Sequence, residues 1–384
     1  MFEFFRVGFR SVIISIVIAS IYLFAAHSQI SVGGSDFIGH ALAAEKIFSG
    51  EGSIPPHFIW QILLYIPHII LKITYIESSY IIIFITVFFT SQLAFTLLSD
   101  DKKVKYSYIL VSILLLFITH PIVITFLVDK HLYYGFFSQN VYHNPSILLL
   151  KLVALLHFVT LLKFTNSQEF KLQECLGLVV LTVLSAVVKP NYLIVIIPAV
   201  AVFSLFNMKK ARFYLFSVIL PGTTILILQG LYFYNPESNN KISFSVFEIY
   251  LYNSSIWLLI PKLVLSIAFP ISLGIVFKNK FLNSAGFKLI GLMFLFALLY
   301  AYFLVDTING RGSASGNFWW SVQVSSFLMY FYCIKFYLKI VSDIGFRKMG
   351  IMQRVPLFIG GLHLISGIIW LMSNSYMLST KLYW

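Results

Sequence analysis

Along most of this chain the apolar positions do not alternate with polar ones. They run on for lengths approaching the ~20 residues a helix needs to cross a bilayer. Such runs lie at about 11–27, 80–98, 106–127, 145–162, 174–188, 190–206, 213–234, 257–277, 286–304, 319–338 and 355–373, which predicts about eleven transmembrane helices. The fifth and sixth are short and meet at Lys189-Pro190-Asn191, the pattern of a re-entrant or broken pair. The stretch 57–75 differs. His57, Gln61, Tyr65, His68 and Lys72 recur there at intervals of four, four, three and four, among Phe58, Ile59, Trp60, Ile62, Leu63, Ile66, Ile69 and Ile70. That polar stripe predicts an amphipathic helix lying in the membrane interface, apolar face in lipid, with a kink at Pro67. The predicted fold class is an all-α polytopic membrane protein, one integral domain over 1–384 with no soluble domain.

Composition agrees. Charged residues make up 11% of the chain and hydrophobic ones 59%, against roughly 25% charged in a soluble domain; mean hydropathy is +0.89. The formal charge of +13 would suggest nucleic acid in a soluble protein, but topology explains it here, and no nucleic-acid partner is expected. With 57–75 kept out of the membrane core, 18 of the 27 lysines and arginines fall on one side. That side, with the N-terminus, is then the inside. The outside receives 28–79, 128–144, 235–256, 305–318 and the tail 374–384. These hold Asp36, Glu45, Glu51, Asp129, Glu237, Glu248 and Asp306, with His40, His57, His131 and His143. The run after Arg6 and Arg10 reads as a retained first span rather than a cleaved leader. Cys175 and Cys333 sit in or beside apolar runs and imply neither a disulfide framework nor metal-ligand spacing.

Polar residues in so apolar a chain need a reason. Gly33-Gly34-Ser35-Asp36-Phe37-Ile38-Gly39-His40 follows the first apolar run. Asp36 and His40 stand four apart, so a helix starting near Ser35 puts them on one face at the mouth of the bundle, a seat for acid/base chemistry. The same residues also read as a plain helix start, with Ser35 as cap and Asp36 in the first turn. Ile54-Pro55-Pro56-His57-Phe58 leads into the amphipathic helix. Asp129-Lys130-His131-Leu132-Tyr133-Tyr134 and Gln139-Asn140-Val141-Tyr142-His143-Asn144-Pro145 crowd together rings, amides and charges. That mixture suits sugars, and an interfacial aromatic belt would produce it too. Lys189, at a helix break, is costly in a membrane unless it snorkels, pairs, or binds an anion such as phosphate. In Gly310-Arg311-Gly312-Ser313-Ala314-Ser315-Gly316-Asn317-Phe318-Trp319-Trp320, free backbone N–H groups and the Arg311 fork suit a phosphate, and a flexible loop is the plainer reading. The Walker pattern is missing.

The order of these parts resembles the GT-C superfamily of integral membrane glycosyltransferases. A first span from inside is followed by a long outer loop with an early acid, Asp36. Pro55-Pro56-His57 then opens an amphipathic helix, followed by a span, a basic inner turn and another span; later a short pair breaks at Lys189-Pro190. The resemblance covers about the first 210 residues. It implies transfer of sugar from a polyprenyl-phosphate-linked donor to a glycan acceptor on the outer face of a bacterial inner membrane. Asp36 matches the family's catalytic base or metal-binding acid, helped here by His40. His57, Asp129, Lys130, His131, His143, Asn144, Lys189 and Arg311 are the expected substrate-binding residues. Beyond the lipid-linked donor no cofactor is implied. Many members carry a second acid near the first, and none stands beside Asp36, so a divalent metal finds no support. Size, span count and composition are also similar to O-antigen polymerases, which makes envelope polysaccharide assembly proteins the expected partners. The alternatives are a flippase or transporter of lipid-linked oligosaccharide and a non-catalytic assembly component. Few mid-span charges and no repeated halves speak against the flippase.

Overall fold

The structure is a computed structural model that describes residues 8–31, 35–100, 103–129, 135–140, 142–166, 172–234, 240–308, 311–312 and 317–379. Its helices are α1 (Phe9–Ser31), α2 (Asp36–Phe48), α3 (Ile59–Leu71), α4 (Tyr75–Leu98), α5 (Tyr106–Ile118), α6 (Phe126–Asp129), α7 (Pro145–Asn166), α8 (Leu172–Val188), α9 (Leu193–Leu205), α10 (Ala211–Tyr214), α11 (Leu220–Phe233), α12 (Glu248–Asn253), α13 (Leu259–Ser266), α14 (Ala268–Leu282), α15 (Ala285–Phe303), α16 (Trp319–Ile344) and α17 (Ile351–Ser379). Among the described residues, seven helical stretches are long and apolar enough to cross a membrane: α1, α4, α7, Met208–Phe233 with α10 and α11, α15, α16 and α17. Ile256–Ser266 and Ala268–Leu282 make an eighth if their 62° bend is one broken span. The other three predicted runs are α5, α8 and α9, with 13, 17 and 13 residues. The chain is therefore a helical, multi-pass membrane protein. By length and composition alone, seven or eight spans qualify among the described residues.

Helix α16 is the axis of the bundle, buried almost continuously from Trp320 to Val341. Against it pack α7, α14 and α15, with α1 on α4, α9 on α15 and α17 on α14 further out. The expectation of helix alone needs one correction. Strands β1 (Lys241–Phe244), β2 (Leu304–Ile308) and β3 (Arg311–Gly312) form an antiparallel sheet, β1-β2-β3, with Lys241 opposite Thr307 and Phe244 opposite Leu304. Lys241-Ile242-Ser243-Phe244 alternates polar and apolar residues, the period of a half-exposed strand.

Part of 128–144, expected as an outer loop, dips into the bundle: among its described residues Phe136, Phe137, Ser138, Gln139, Asn140 and Tyr142 are all buried, while Val128 is exposed. The reason lies in α5, which stops at Ile118 and leaves non-helical backbone amid apolar helices. Such backbone survives in a membrane protein only where the protein satisfies it. Asn140 Nδ2 donates to the Thr119 carbonyl (2.7 Å), Gln139 to Thr119 Oγ1, and His363 Nδ1 to the His120 carbonyl (2.8 Å). Ser366 Oγ donates to the Pro121 carbonyl at 2.5 Å. Gly367 lets α17 approach this segment; a Cβ there would overlap the Ile118 carbonyl oxygen.

Helix α3 falls inside the expected 57–75, with Pro67 in the helix and Lys72 as its left-handed cap (φ 56°). Ile62, Ile66, Ile69, Ile70 and Leu71 point outward. The polar stripe turns toward the protein: Tyr65 stacks on Phe48 at 3.8 Å, and His68 Nδ1 meets the Ile73 carbonyl at 2.6 Å. Helix α4 opens with a capping box, in which Thr74 Oγ1 accepts from Glu77 N (3.1 Å) and Glu77 Oε2 from Thr74 N (2.7 Å).

Candidate functional site

At one end of the bundle four helix ends meet: the starts of α2, α7 and α16 and the finish of α8. Helix α2 begins at Ser35, its cap residue, whose side chain makes no capping bond. Phe37, Ala41 and Ala44, at helical spacing, bury one face of α2. Asp36, in the first turn, is exposed. Helix α7 begins with Asn144 as cap and Pro145 in the first helical position, the pairing that helix starts favour. Asn144 Oδ1 accepts from the backbone N–H of Ile147 at 3.1 Å and from Ser146 Oγ at 2.9 Å.

The same amide joins two charges. Asn144 Nδ2 donates to Asp36 Oδ2 at 2.8 Å, and Asn144 Oδ1 accepts from Lys189 Nζ at 3.3 Å. Lys189 also donates to Ser146 Oγ at 3.2 Å and lies 5.3 Å from the centre of the Trp320 ring. Trp320 holds the His143 ring on its other contact, centroid to centroid 5.3 Å. Asp36 Oδ1 takes no hydrogen bond among the described residues, so the exposed carboxylate keeps one oxygen for an incoming proton. Lys189 is 8% exposed, and burial draws its ammonium down to about 8 against the pull of Asp36 in the other direction.

Three imidazoles line the site and all are kept neutral. Burial first, then Lys189 and His57, pull His40 down to about 3. Burial and Lys189 bring His57 to about 4. His143 is lowered by burial and Lys189, with Asp36 opposing. Gln61 Nε2 donates to His40 Nδ1 at 3.0 Å, which leaves the His40 proton on Nε2. His40 is thus equipped to donate a hydrogen bond rather than to hold a proton alongside Asp36.

The structure brings together Asp36, His40, His57, His143, Asn144 and Lys189, which are far apart in sequence. Asn144 spends its carbonyl oxygen on the start of α7 and on Lys189, and one N–H on Asp36. Lys130 and His131 lie outside the described residues, and Asp129 and Arg311 are described by backbone alone. Residues not expected at the site include Ser146 and Gln61, and a second acid, Asp306 on β2. Asp306 is 2% exposed, accepts from Asn317 Nδ2, and burial raises its carboxyl while that bond lowers it. The Asn317 carbonyl in turn accepts from Asn191 Nδ2 at 2.7 Å, which ties Asp306 to the break carrying Lys189. Helix α11 straps the other side, with Gln229 Nε2 donating to the carbonyls of Pro56 (2.8 Å) and Ala186 (3.0 Å). Among the described residues no three His, Cys, Asp or Glu side chains are grouped to hold a metal ion. Compared with known proteins, the chain matches no protein-family model and no curated relative.

Proposed function

We propose that this chain is a GT-C-like membrane glycosyltransferase or polysaccharide polymerase that transfers sugar from a polyprenyl-linked donor in the synthesis of a surface polysaccharide. In this reading the shorter helices α5, α8 and α9 and the bent pair α13–α14 complete eleven crossings. The N-terminus is inside and the site faces outward in a bacterial inner membrane. The donor enters from the bilayer with its phosphate on Lys189. Asp36 Oδ1 takes the proton of the acceptor hydroxyl, whose oxygen bonds to the anomeric carbon. The bond from that carbon to the phosphate oxygen breaks, and the electron pair leaves on the lipid phosphate. A placed base contributes about 10²–10⁴-fold.

The observation that carries this reading is the exposed Asp36 carboxylate held one amide away from a buried lysine. An acid with one oxygen outside its hydrogen bond to Asn144, one amide away from a buried cation, suits the displacement, and a plain helix start requires neither. The test is turnover in detergent. Purified protein, a lipid-linked sugar and a glycan acceptor should yield the covalent product where there is no membrane to cross. Movement of the lipid-linked sugar across vesicles by a protein that makes no product in detergent would contradict it.

A further inference from the structure

We infer that His157, in the middle of α7, is a positioning residue for Lys189: its imidazole bonds to both sides of the chain break that carries the lysine. The clasp rests on hydrogen bonds alone, and its consequence for the donor rests on the reading just proposed. Seven residues before Lys189, on α8, Thr182 Oγ1 lies 3.0 Å from His157 Nε2. Three residues after Lys189, at the start of α9, the Tyr192 hydroxyl lies 2.7 Å from His157 Nδ1. His157, Thr182 and Tyr192 are all fully buried. Between the two contacts the helix stops at Lys189-Pro190-Asn191. Pro190 has no N–H to continue the ladder, so side chains must fix how α8 and α9 meet.

The protons of this network have one order. The Ser217 carbonyl, in the π turn Leu215–Ile219, can only accept, so the Thr182 hydroxyl donates to it (3.1 Å). Thr182 Oγ1 then accepts from His157, whose proton sits on Nε2. Nδ1 is left as an acceptor, and the Tyr192 O–H donates to it. Each donor meets one acceptor, and the neutral imidazole has no ring nitrogen to spare for a ligand. A fully satisfied buried network of this kind fixes one geometry. The same helix also receives the lysine's ammonium, on Asn144 Oδ1 and Ser146 Oγ at its first turn. His157 follows Asn144 by thirteen residues, roughly 20 Å along the axis. Helix α7 thus holds Lys189 at both ends, the ammonium at its start and the backbone from its middle. A lysine stem is long and flexible, so pinning its backbone is what keeps Nζ in its seat.

Lys189 itself is the readout. Acetic anhydride labels the neutral amine, and mass spectrometry of the purified full-length protein gives the pH midpoint of labelling at Lys189. Wild type should show about 8, since burial holds the ammonium down while Asp36 opposes and the neighbouring His40, His57 and His143 are neutral. His157→Leu keeps the bulk and loses both bonds. Its midpoint should rise by at least about one pH unit toward the ordinary lysine value near ~10.4, while exposed Lys46 on α2 stays put. His157→Gln offers one acceptor and one donor and should restore most of the wild-type midpoint. Tyr192→Phe removes a single hydroxyl and should move the midpoint part of the way, which covers a failure of His157→Leu to fold. In transfer, His157→Leu should raise the donor KM about tenfold, the worth of a charge-assisted hydrogen bond, with kcat little changed. A wild-type midpoint already at the ordinary lysine value would overturn the inference. So would a midpoint unmoved in both His157→Leu and Tyr192→Phe, even with transfer lost in Asp36→Asn. A midpoint that moves while the donor KM does not would support the clasp and remove the donor phosphate from Lys189.

Discussion

Replacing Asn144 by Asp changes three atoms' worth of chemistry and leaves the shape in place. Aspartate caps a helix as well as asparagine does, and its oxygens still accept from Lys189, so α7 should start as before. The group facing Asp36 Oδ2 at 2.8 Å, however, turns from donor to acceptor. Two carboxylates at that distance repel by about 6 kcal/mol at an effective dielectric of 20, and by about 1.5 kcal/mol in bulk water. Asp36 is exposed, so the cost lies between these limits. At 1.36 kcal/mol per unit, the pair should share a proton over roughly 1–4 pH units above the ordinary carboxylate range. The acid limb of the transfer rate should therefore move up by at least about one pH unit, with protein level and thermal midpoint near wild type. Asn144→Ala gives the contrast, since it also loses a cap worth about 1 kcal/mol. A pH–rate profile of Asn144→Asp that overlays wild type would refute the bridge between Asp36 and Lys189.

Lys189 should deprotonate through a pH of about 8, charged below and neutral above, so the donor KM should rise on the alkaline side, and Lys189→Arg should hold it flat; an unmoved alkaline limb in that variant would count against a phosphate on Lys189. His40 and His57, at about 3 and 4, stay neutral from pH 5 to 8, so a rate limb near 6.5 that His40→Gln removes would contradict their burial. Gly367→Ala should lower thermal stability in detergent by about 1–3 kcal/mol through overlap with the Ile118 carbonyl. Gly361→Ala, with open space beside it, should not. Reporters fused after Lys103 and after Trp384 should read inside and outside, and the same side for both would remove an odd number of crossings.

The long apolar runs carried the helical, multi-pass architecture on their own, because length and hydropathy are local properties. The same holds for the stripe at His57, Gln61, Tyr65 and His68, whose spacing marks one face of α3. Periodicity marks a face without saying what covers it, and the stripe meets Phe48, His40 and the bundle rather than water. The insertion of 135–140 and 142–144 was not visible locally. Gln139 and Asn140 look like loop residues until α5 breaks off at Ile118 and the hydroxyl and carbonyl of Thr119 take their amide donors. Two local signals could have been read: Thr74-Tyr75-Ile76-Glu77 as a capping box, and Lys241-Ile242-Ser243-Phe244 as a strand. The meeting of Asp36, Asn144 and Lys189 follows from long-range packing. Each residue was conspicuous alone, since a charge or amide at the end of an apolar run is rare, yet the bridging part of Asn144 needed the geometry.

Asp36 stands at the centre of the proposed chemistry, and single-turnover transfer by the purified Asp36→Asn protein tests it most directly. The amide keeps the shape and can still face Asn144, but it cannot take a proton. Transfer should fall by about 10²–10⁴-fold while the protein keeps its thermal midpoint and still binds the lipid-linked donor. Asp36→Glu, which moves the carboxylate by roughly an ångström, should lose up to ~10²-fold. Near-normal single-turnover transfer by Asp36→Asn would contradict a catalytic site at this end of the bundle and leave Asp36 as the first turn of a helix.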